Sequence, residues 1–326
     1  MPAPTAALGT LRPDLSSSLL EWEDQMELNN MIASRVFPVV QVARPSGTFG
    51  RIPDNQLVPS VKPDDTLRAP GAGYYRDRFT FVPDTYATEE HGVEEPVDER
   101  EAATYGDFFQ AETIATMRCR RKVMINAERR VADLLFNATT FTGRTTGVAQ
   151  QWVNNAAAAV PVTNVEAAVL AVYDDSGMWP NTLIINRKVF RALRQVDQIV
   201  DLSKAQGFMD VRAGAITIAQ LATVFDLNVI VAGGTRNNAD AGLAFDPVQI
   251  WGDDFALICK IATSGDIQEP CVGRVFHWGG DGSSMDGTIE SYDEPQTRSR
   301  IIRHRHQVDE KLLHVKCGHL LTGIAS

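Results

Sequence analysis

The chain has 326 residues and a formal net charge of −10 at pH 7, with 44% hydrophobic and 22% charged residues. These values are typical of a globular protein and exclude a disordered, collagen-like or rod-like chain. No apolar run reaches about eighteen residues, so we expect no membrane span. The acidic balance argues against broad electrostatic binding to nucleic acid. The four cysteines have no paired spacing, which favours reduced thiols over disulfides.

The first 45 residues predict an arm that lies outside the core. They contain LLEWEDQMELNNMIASRVFPVVQV, a short helical pattern that runs into a β-branched segment. They lack a basic start followed by a continuous apolar run, so we expect no secretory signal and synthesis inside a cell. From Pro45 to Pro83, closely spaced prolines and glycines predict an extended two-stranded loop, with strand-like GYYRDRFTFV at its far end.

An acidic strip precedes a basic helix. YATEEHGVEEPVDERE, residues 86–101, places seven carboxylates in sixteen residues, and we expect His91 among them to lie in a loop. Residues 105–137 contain no proline and only one glycine, near their start, which predicts a single helix of about 50 Å. Its predicted apolar stripe contains Met117, Met124, Val131 and Leu135.

The basic run RCRRK in this helix has three interpretations. It is a solvated face, a nucleic-acid patch that needs a basic domain around it, or half of an interface that needs an acidic counterpart. The acidic strip supplies that counterpart. Acids beside a helix amino terminus are favourable, but the strip holds more of them than one helix end can use.

Later segments predict two further units. Residues 181–260 alternate buried strands with helices, as in NTLIINRKVFRALRQ and ITIAQLATVFDLNVIVAGG, and predict a mixed α/β unit. The segment after Gly273 contains short β-rich runs, which predict antiparallel strands that pack with the long helix. The fold class is therefore α+β.

Enzyme signatures are missing from the sequence. It contains no GxxxxGK[ST], HExxH or GxSxG motif, and no spacing indicates a catalytic triad. His304, His306, Cys317 and His319 are spaced so that two strands could bring them together around Zn²⁺. Arg303 and Arg305 crowd that site with positive charge, so interface or surface histidines are the expectation and a metal-dependent enzyme is the alternative. We expect no cofactor, no metal and no catalysis.

An ordered series of segments resembles the major capsid proteins of tailed bacteriophages, which have the Hong Kong 97-like fold that encapsulin shells share. The series contains YATEEHGVEEPVDERE, INAERRVADLLFNATTF, QQWVN, GMWPNTLIINRKVFRAL, LATVFDLNVIVAGG, VQIWGDDFALI, GRVFHWGG and HVKCGHLLTGI. The resemblance covers the chain from about Gly47 to its end. It implies an amino-terminal arm at residues 1–45, an extended loop at 46–85, a first peripheral part at 86–180 with a spine helix at 105–137, an axial domain at 181–260 and a peripheral β-rich part at 261–326.

The resemblance also implies the function. Many copies would form pentamers and hexamers that close into an icosahedral shell around double-stranded DNA, which the shell encloses without sequence-specific binding. We expect a separate scaffolding protein, a portal and cement proteins as partners, no membrane, assembly in the host bacterial cytoplasm and a final place in the virion. An encapsulin-type compartment around an enzyme is the alternative of the same fold.

In such a shell, the acidic strip and the basic helix would meet between subunits. A neighbour's extended loop would lie across the helix, and repeated ion pairs would set the register of the contact. The candidate intersubunit residues are Glu89, Glu90, Glu94, Glu95, Arg118, Arg121, Lys122 and Arg129.

Overall fold

The computed structural model describes residues 10–11, 31–58, 66–68, 70–76, 80–105, 110–153, 157–205, 216–238 and 244–325. The helices are α1 (Ala33–Val36), α2 (Glu99–Tyr105), α3 (Ala111–Leu135), α4 (Pro161–Ser176), α5 (Arg187–Leu193), α6 (Asp197–Ala205) and α7 (Ile218–Phe225). The strands are β1 (Thr10–Leu11), β2 (Val39–Val42), β3 (Ser46–Arg51), β4 (Val82–Ala87), β5 (Glu89–Asp98), β6 (Thr145–Gly147), β7 (Thr182–Asn186), β8 (Asn228–Ala232), β9 (Thr235–Asn237), β10 (Pro247–Gln249), β11 (Phe255–Cys259), β12 (Gly273–Trp278), β13 (Thr288–Glu294), β14 (Ser299–Leu312) and β15 (Gly318–Thr322).

A six-stranded sheet is organised around the long strand β14. One edge of β14 pairs with β5 over residues 299–308, and the other pairs first with β13 and then with β12. The strands β12 and β13 therefore lie in succession along the same edge, separated by residues 279–287. Strand β2 adds in parallel to β12, and β1 adds to β13. The expected antiparallel carboxy-terminal strands are present and pack on α3, as predicted.

The long helix α3 lies under this sheet and is shorter than predicted. It begins at Ala111 and ends at Leu135, which gives about 37 Å in place of about 50 Å. Residues 99–105 form the separate helix α2, and residues 106–109 lie outside the described part of the chain. The buried stripe includes Val131 and Leu135 as predicted, but Met117 and Met124 are only half-buried.

A five-stranded sheet forms the α/β unit, in the order β6-β15-β11-β7-β8. All five residues of β7 are buried, because helices α4 to α7 cover one face of the sheet and the carboxy-terminal half of α3 covers the other. The predicted strand-to-helix units are confirmed at β7–α5 and α7–β8. Strands β6 and β15 come from outside residues 181–260, so the sheet recruits two segments that the sequence placed elsewhere.

Sequence signals account for the local boundaries in this unit. The side chain of Asn186 accepts a hydrogen bond from the backbone N–H of Lys188 and so caps α5. Thr217 and Gln220 form a reciprocal capping box at the start of α7. Gly177 ends α4 with φ of 69°, in the left-handed region that favours glycine.

The extended loop is two-stranded at its base, as predicted. Strands β3 and β4 pair antiparallel, from Ser46 opposite Ala87 to Arg51 opposite Val82. The second strand of the loop begins later in the chain than predicted, because GYYR forms no strand and β4 begins only at Val82. The base is held to the end of β14 by ionic contacts, in which Lys311 pairs with Asp84 at 2.6 Å.

The described end of the predicted arm belongs to the core, which corrects the expectation for residues 31–42. Ile32, Val36 and Phe37 are buried beside the carboxy-terminal half of α3. The more strongly helical part of the pattern, at residues 19–30, lies outside the described residues. In the part of the chain that the structure describes, no helix is long and apolar enough to cross a membrane.

Glu128 joins three parts of the chain. Its Oε1 accepts hydrogen bonds from the backbone N–H of Ile32 at 2.8 Å and from the indole N–H of Trp251 at 2.6 Å. Its Oε2 accepts from the backbone N–H of Ala33 at 2.8 Å, so the carboxylate caps the start of α1. Burial raises the pKa of Glu128, and the three hydrogen bonds act against that rise.

Replacing Glu128 should therefore weaken the whole subunit. Glu128→Ala leaves three buried donors without their acceptor, and we expect a loss of roughly 3 kcal/mol or more in the free energy of unfolding. Trp251→Phe, the control, removes one donor and replaces the indole by a smaller phenyl ring, so its loss should be smaller, roughly 1–2 kcal/mol. Urea unfolding of the unassembled chain measures both, and equal losses would contradict the assigned role of Glu128.

Candidate assembly surface

The acidic strip is not a loop but strand β5, which corrects the expectation for His91. Burial alternates along β5, so odd-numbered residues face α3 and even-numbered residues face outward. The ring of His91 lies 5.9 Å from that of His306 on β14, in an edge-on arrangement. The carboxylates of one strip are thereby divided between two faces of a sheet.

On the outer face, arginines of β14 pair with carboxylates of the strands on both sides. Arg303 pairs with Glu94 of β5 at 2.6 Å and with Glu290 of β13 at 3.3 Å. Arg305 pairs with the same Glu290 at 2.8 Å and approaches Glu90 at 3.8 Å. Hydrogen bonds to Glu290 and then to Asp281 raise the pKa of Arg305. The result is a charge network across three strands of one chain.

This network also includes a side chain from the 279–287 segment and an aromatic ring. Arg305 forms an ion pair with Asp281, which ties that segment to the sheet. The hydroxyl of Tyr292 donates to Glu94 at 3.2 Å, and the Arg303 guanidinium lies over the Tyr292 ring at 5.2 Å. Each contact is partly exposed and weak alone, but shared partners fix all of the side chains together.

On the inner face, ion pairs join the sheet to α3. Glu95 pairs with Arg118 at 3.0 Å. The guanidinium of Arg130 makes a two-pronged contact with Glu310, with N–O distances of 2.6 and 2.9 Å. The acidic strip and the basic helix therefore do meet, and they meet within one subunit.

His304 and His306 are buried on this inner face, under the 279–287 segment. Nε2 of His304 contacts the carbonyl oxygen of Asp286 at 2.9 Å, and Nδ1 of His306 contacts that of Met285 at 3.4 Å. The other ring nitrogens find no hydrogen-bond partner among the described residues. The pKa of each histidine is lowered to about 4, chiefly by burial and, for His304, also by the positive charge of Arg120.

The zinc alternative fails on topology. His304 and His306 lie in the six-stranded sheet, whereas His319 lies in β15 of the five-stranded sheet and Cys317 directly precedes it. Nε2 of His319 is instead within 2.8 Å of the Thr146 hydroxyl. Across the described residues, no group of three or more His, Cys, Asp and Glu side chains is placed to hold a metal ion.

The other predicted contact residues differ in whether they form ion pairs within the chain itself. Arg129 pairs with Asp133 one turn further along α3, at 3.5 Å. Glu89, Arg121 and Lys122 are exposed, and no carboxylate or cation of the described residues forms an ion pair with them. Contacts of any of the eight candidates with a neighbouring subunit stay a prediction.

The extended loop carries an exposed apolar surface that was not predicted from the sequence. Leu67, Tyr74, Tyr75 and Phe81 are all exposed, with Tyr74 at 75%. Arg68 lies over the Tyr74 ring at 4.7 Å. Large apolar side chains clustered on a projecting loop indicate a contact surface, and the aromatic residues within GYYRDRFTFV were the signal that could have identified it.

Because Glu94 is satisfied within the chain, we expect a charge reversal there to act on the subunit itself. Glu94→Arg places two arginines together and should lower the free energy of unfolding by about 1 kcal/mol. Glu94→Arg combined with Arg303→Gln removes the contact between two positive charges and should recover part of the loss. Unfolding of the unassembled chain measures both variants, and a combined variant no more stable than the first would contradict the pairing.

The buried histidines predict loss of stability in acid. Their folded pKa of about 4 lies below the unfolded value near 6.5, so the unfolded chain binds more protons between these pH values. Stability should therefore fall as pH drops through this window, by about 3 kcal/mol for each histidine. His304→Gln should flatten the pH dependence of unfolding, whereas half-buried His91→Gln should change it less. An unchanged profile in His304→Gln would contradict the assignment.

Comparisons with known proteins agree with this architecture. No protein-family model matches the chain. The major capsid protein of Burkholderia phage BcepMu is 25% identical over 300 residues, which cover 90% of this chain and 91% of that protein. The major capsid protein of Pseudomonas phage JBD67 is 22% identical over 271 residues, 82% of each chain.

Solved structures share the fold at lower identity. A phage-related protein from Bordetella bronchiseptica RB50 has a TM-score of 0.67 at 18% identity, covering 97% of this chain and 98% of that one. The capsid structure of Cyanophage P-SCSP1u has a TM-score of 0.56 at 11% identity, covering 89% of this chain and 87% of that one. An encapsulin complex from Synechococcus elongatus PCC 7942 has a TM-score of 0.50 at 9% identity, covering 99% of this chain and 93% of that one. The chain is thus similar to these phage major capsid proteins along most of its length, and it has the Hong Kong 97-like fold.

Proposed function

We propose that the chain self-assembles as pentamers and hexamers into the icosahedral shell of a tailed bacteriophage and encloses its double-stranded DNA. The observation that carries this proposal is the extent of the likeness. Two curated phage capsid proteins match most of the chain, and most of their own length is matched in turn. The partners we propose are a separate scaffolding protein, a portal, cement proteins and DNA held without sequence readout, with assembly in the host cytoplasm.

The subunit combines charged side chains that are paired internally with an apolar loop that is exposed, and this combination supports assembly over catalysis. The charged side chains of the two sheets and α3 are largely paired within the chain, which gives a preformed body. The extended loop, by contrast, presents aromatic and aliphatic side chains that find no burial in their own subunit. A rigid body with one projecting apolar element is what a repeated contact between identical subunits needs.

Native mass and particle shape test the proposal directly. The purified chain should form rings or closed particles in light scattering and negative-stain microscopy, alone or with a scaffolding protein. A chain that stays monomeric near 35.8 kDa under both conditions would contradict the capsid function. Nuclease-protected DNA in particles from infected cells would favour the virus over an encapsulin compartment.

The loop surface should be required for this assembly. Tyr74→Ser combined with Tyr75→Ser and Phe81→Ser removes apolar contact area and should reduce particle yield at least about tenfold, since aromatic anchors dominate interfaces. The subunit should remain folded, because these side chains are exposed. Leu170→Ser, on the exposed face of α4, is the matched control. Wild-type yield from the loop variant would contradict the assigned role.

A further inference from the structure

A basic groove separates α3 from the hairpin formed by β9 and β10. It has a volume of about 570 Å³. Cationic side chains line both sides of it, and Phe245 stands beside them with 74% of its surface exposed. The cations are Arg118, Arg121, Lys122 and Arg129 of α3 and Arg236 of β9.

Three of the groove cations lack a counterion in the described part of the chain. Arg118 and Arg129 pair with carboxylates at the rim, and Arg236 donates to the side-chain oxygen of Asn238 at 2.7 Å. Arg121 and Lys122 are exposed, and no described carboxylate lies within ion-pair distance of either. In a chain of net charge −10, this groove is therefore a local concentration of uncompensated positive charge.

The lining favours a peptide over nucleic acid. Half-buried Ile125 and exposed Phe245 give the groove an apolar part between its cations. A peptide that alternates carboxylates with large apolar side chains satisfies both parts of the lining. A DNA duplex presents its phosphates on a convex surface and keeps its bases stacked inside, so it offers nothing to bury against these two side chains.

One such peptide in the sequence has no carboxylate that is seen to pair within the described part of the subunit. Residues 21–28, EWEDQMEL, hold four carboxylates together with Trp22, Met26 and Leu28. The other acidic stretch, in β5, has Glu90, Glu94 and Glu95 paired within the subunit. We propose that the groove binds residues 21–28 of a second copy of the chain, an inference that rests on the proposed assembly.

A second copy fits the path of the chain better than the same copy. Met31, where the described chain resumes, lines a cavity with Arg120 and Met124. At about 100° per residue, Lys122 lies on the opposite side of the helix from those positions, and Arg121 lies between the two sides. A helix with its side chains is about 10 Å wide. Only residues 29 and 30 separate Met31 from the acidic peptide, which is a short connection for reaching the groove around the helix.

Peptide binding tests the groove without relying on shells. A fluorescent peptide of residues 17–30 is titrated into the unassembled full-length chain and followed by anisotropy. The variant Arg121→Glu with Lys122→Glu should bind at least about tenfold more weakly. The control Arg44→Glu with Arg191→Glu makes the same change of net charge away from the groove and should bind like the wild type. A peptide with Gln or Asn at the four carboxylates should also lose binding.

Assembly supplies a second measurement. The groove variant and the variant Glu23→Lys with Asp24→Lys should each lower particle yield, and combining all four changes should restore it, because the charges again oppose. Peptide binding unchanged in the groove variant, or absent in the wild type, overturns the proposal, as does a DNA duplex that binds the groove in place of the peptide. A wild-type chain that binds the peptide yet forms no particles contradicts the proposed function alone.

Discussion

The carboxylate of Glu128 holds together segments that lie about a hundred residues apart on either side of it. It accepts from the backbone at Ile32 and Ala33 and from the indole of Trp251. These contacts fasten the start of α1 and the edge of the α/β unit to the middle of α3. Because buried polar groups are costly when unpaired, the three contacts specify one arrangement of the core and disfavour others. The two sheets on either side of α3 depend on that arrangement.

The sequence predicted the parts of the fold that follow from local periodicity. Buried β7 and its following helix, the pair α7–β8 and the two-stranded base of the extended loop all carry strong local signals, such as the capping residues Asn186 and Thr217. Strands β6 and β15 were assigned to other units, because nothing local shows that they complete a sheet whose other strands are distant in sequence. Helix α3 was predicted too long at both ends. It begins only at Ala111, after the separate helix α2, and it ends at Leu135, next to Phe136, whose ring packs against Trp251.

The candidate site was harder to predict than the fold. The acids of β5 and the bases of α3 were recognised as complementary, but the distribution of partners depends on register, which the sequence does not display. Glu94 and Glu95 are adjacent, yet they face opposite sides of the sheet and meet Arg303 and Arg118 respectively. A run of acids obscured the alternation that marks a strand, since the inward positions are occupied by His91, Val93 and Glu95 rather than by a continuous apolar series.

The position of β15 has a consequence for the timing of folding. This strand lies between β6 and β11, so without it the five-stranded sheet is divided into a lone segment and a three-stranded remainder. It also follows the other four strands of the sheet in sequence, so the ribosome makes it after them. A nascent chain therefore cannot complete its α/β body while β15 is still unmade, even though domains generally fold as they emerge. Any contact between chains that requires the finished α/β body must therefore wait until β15 has been made.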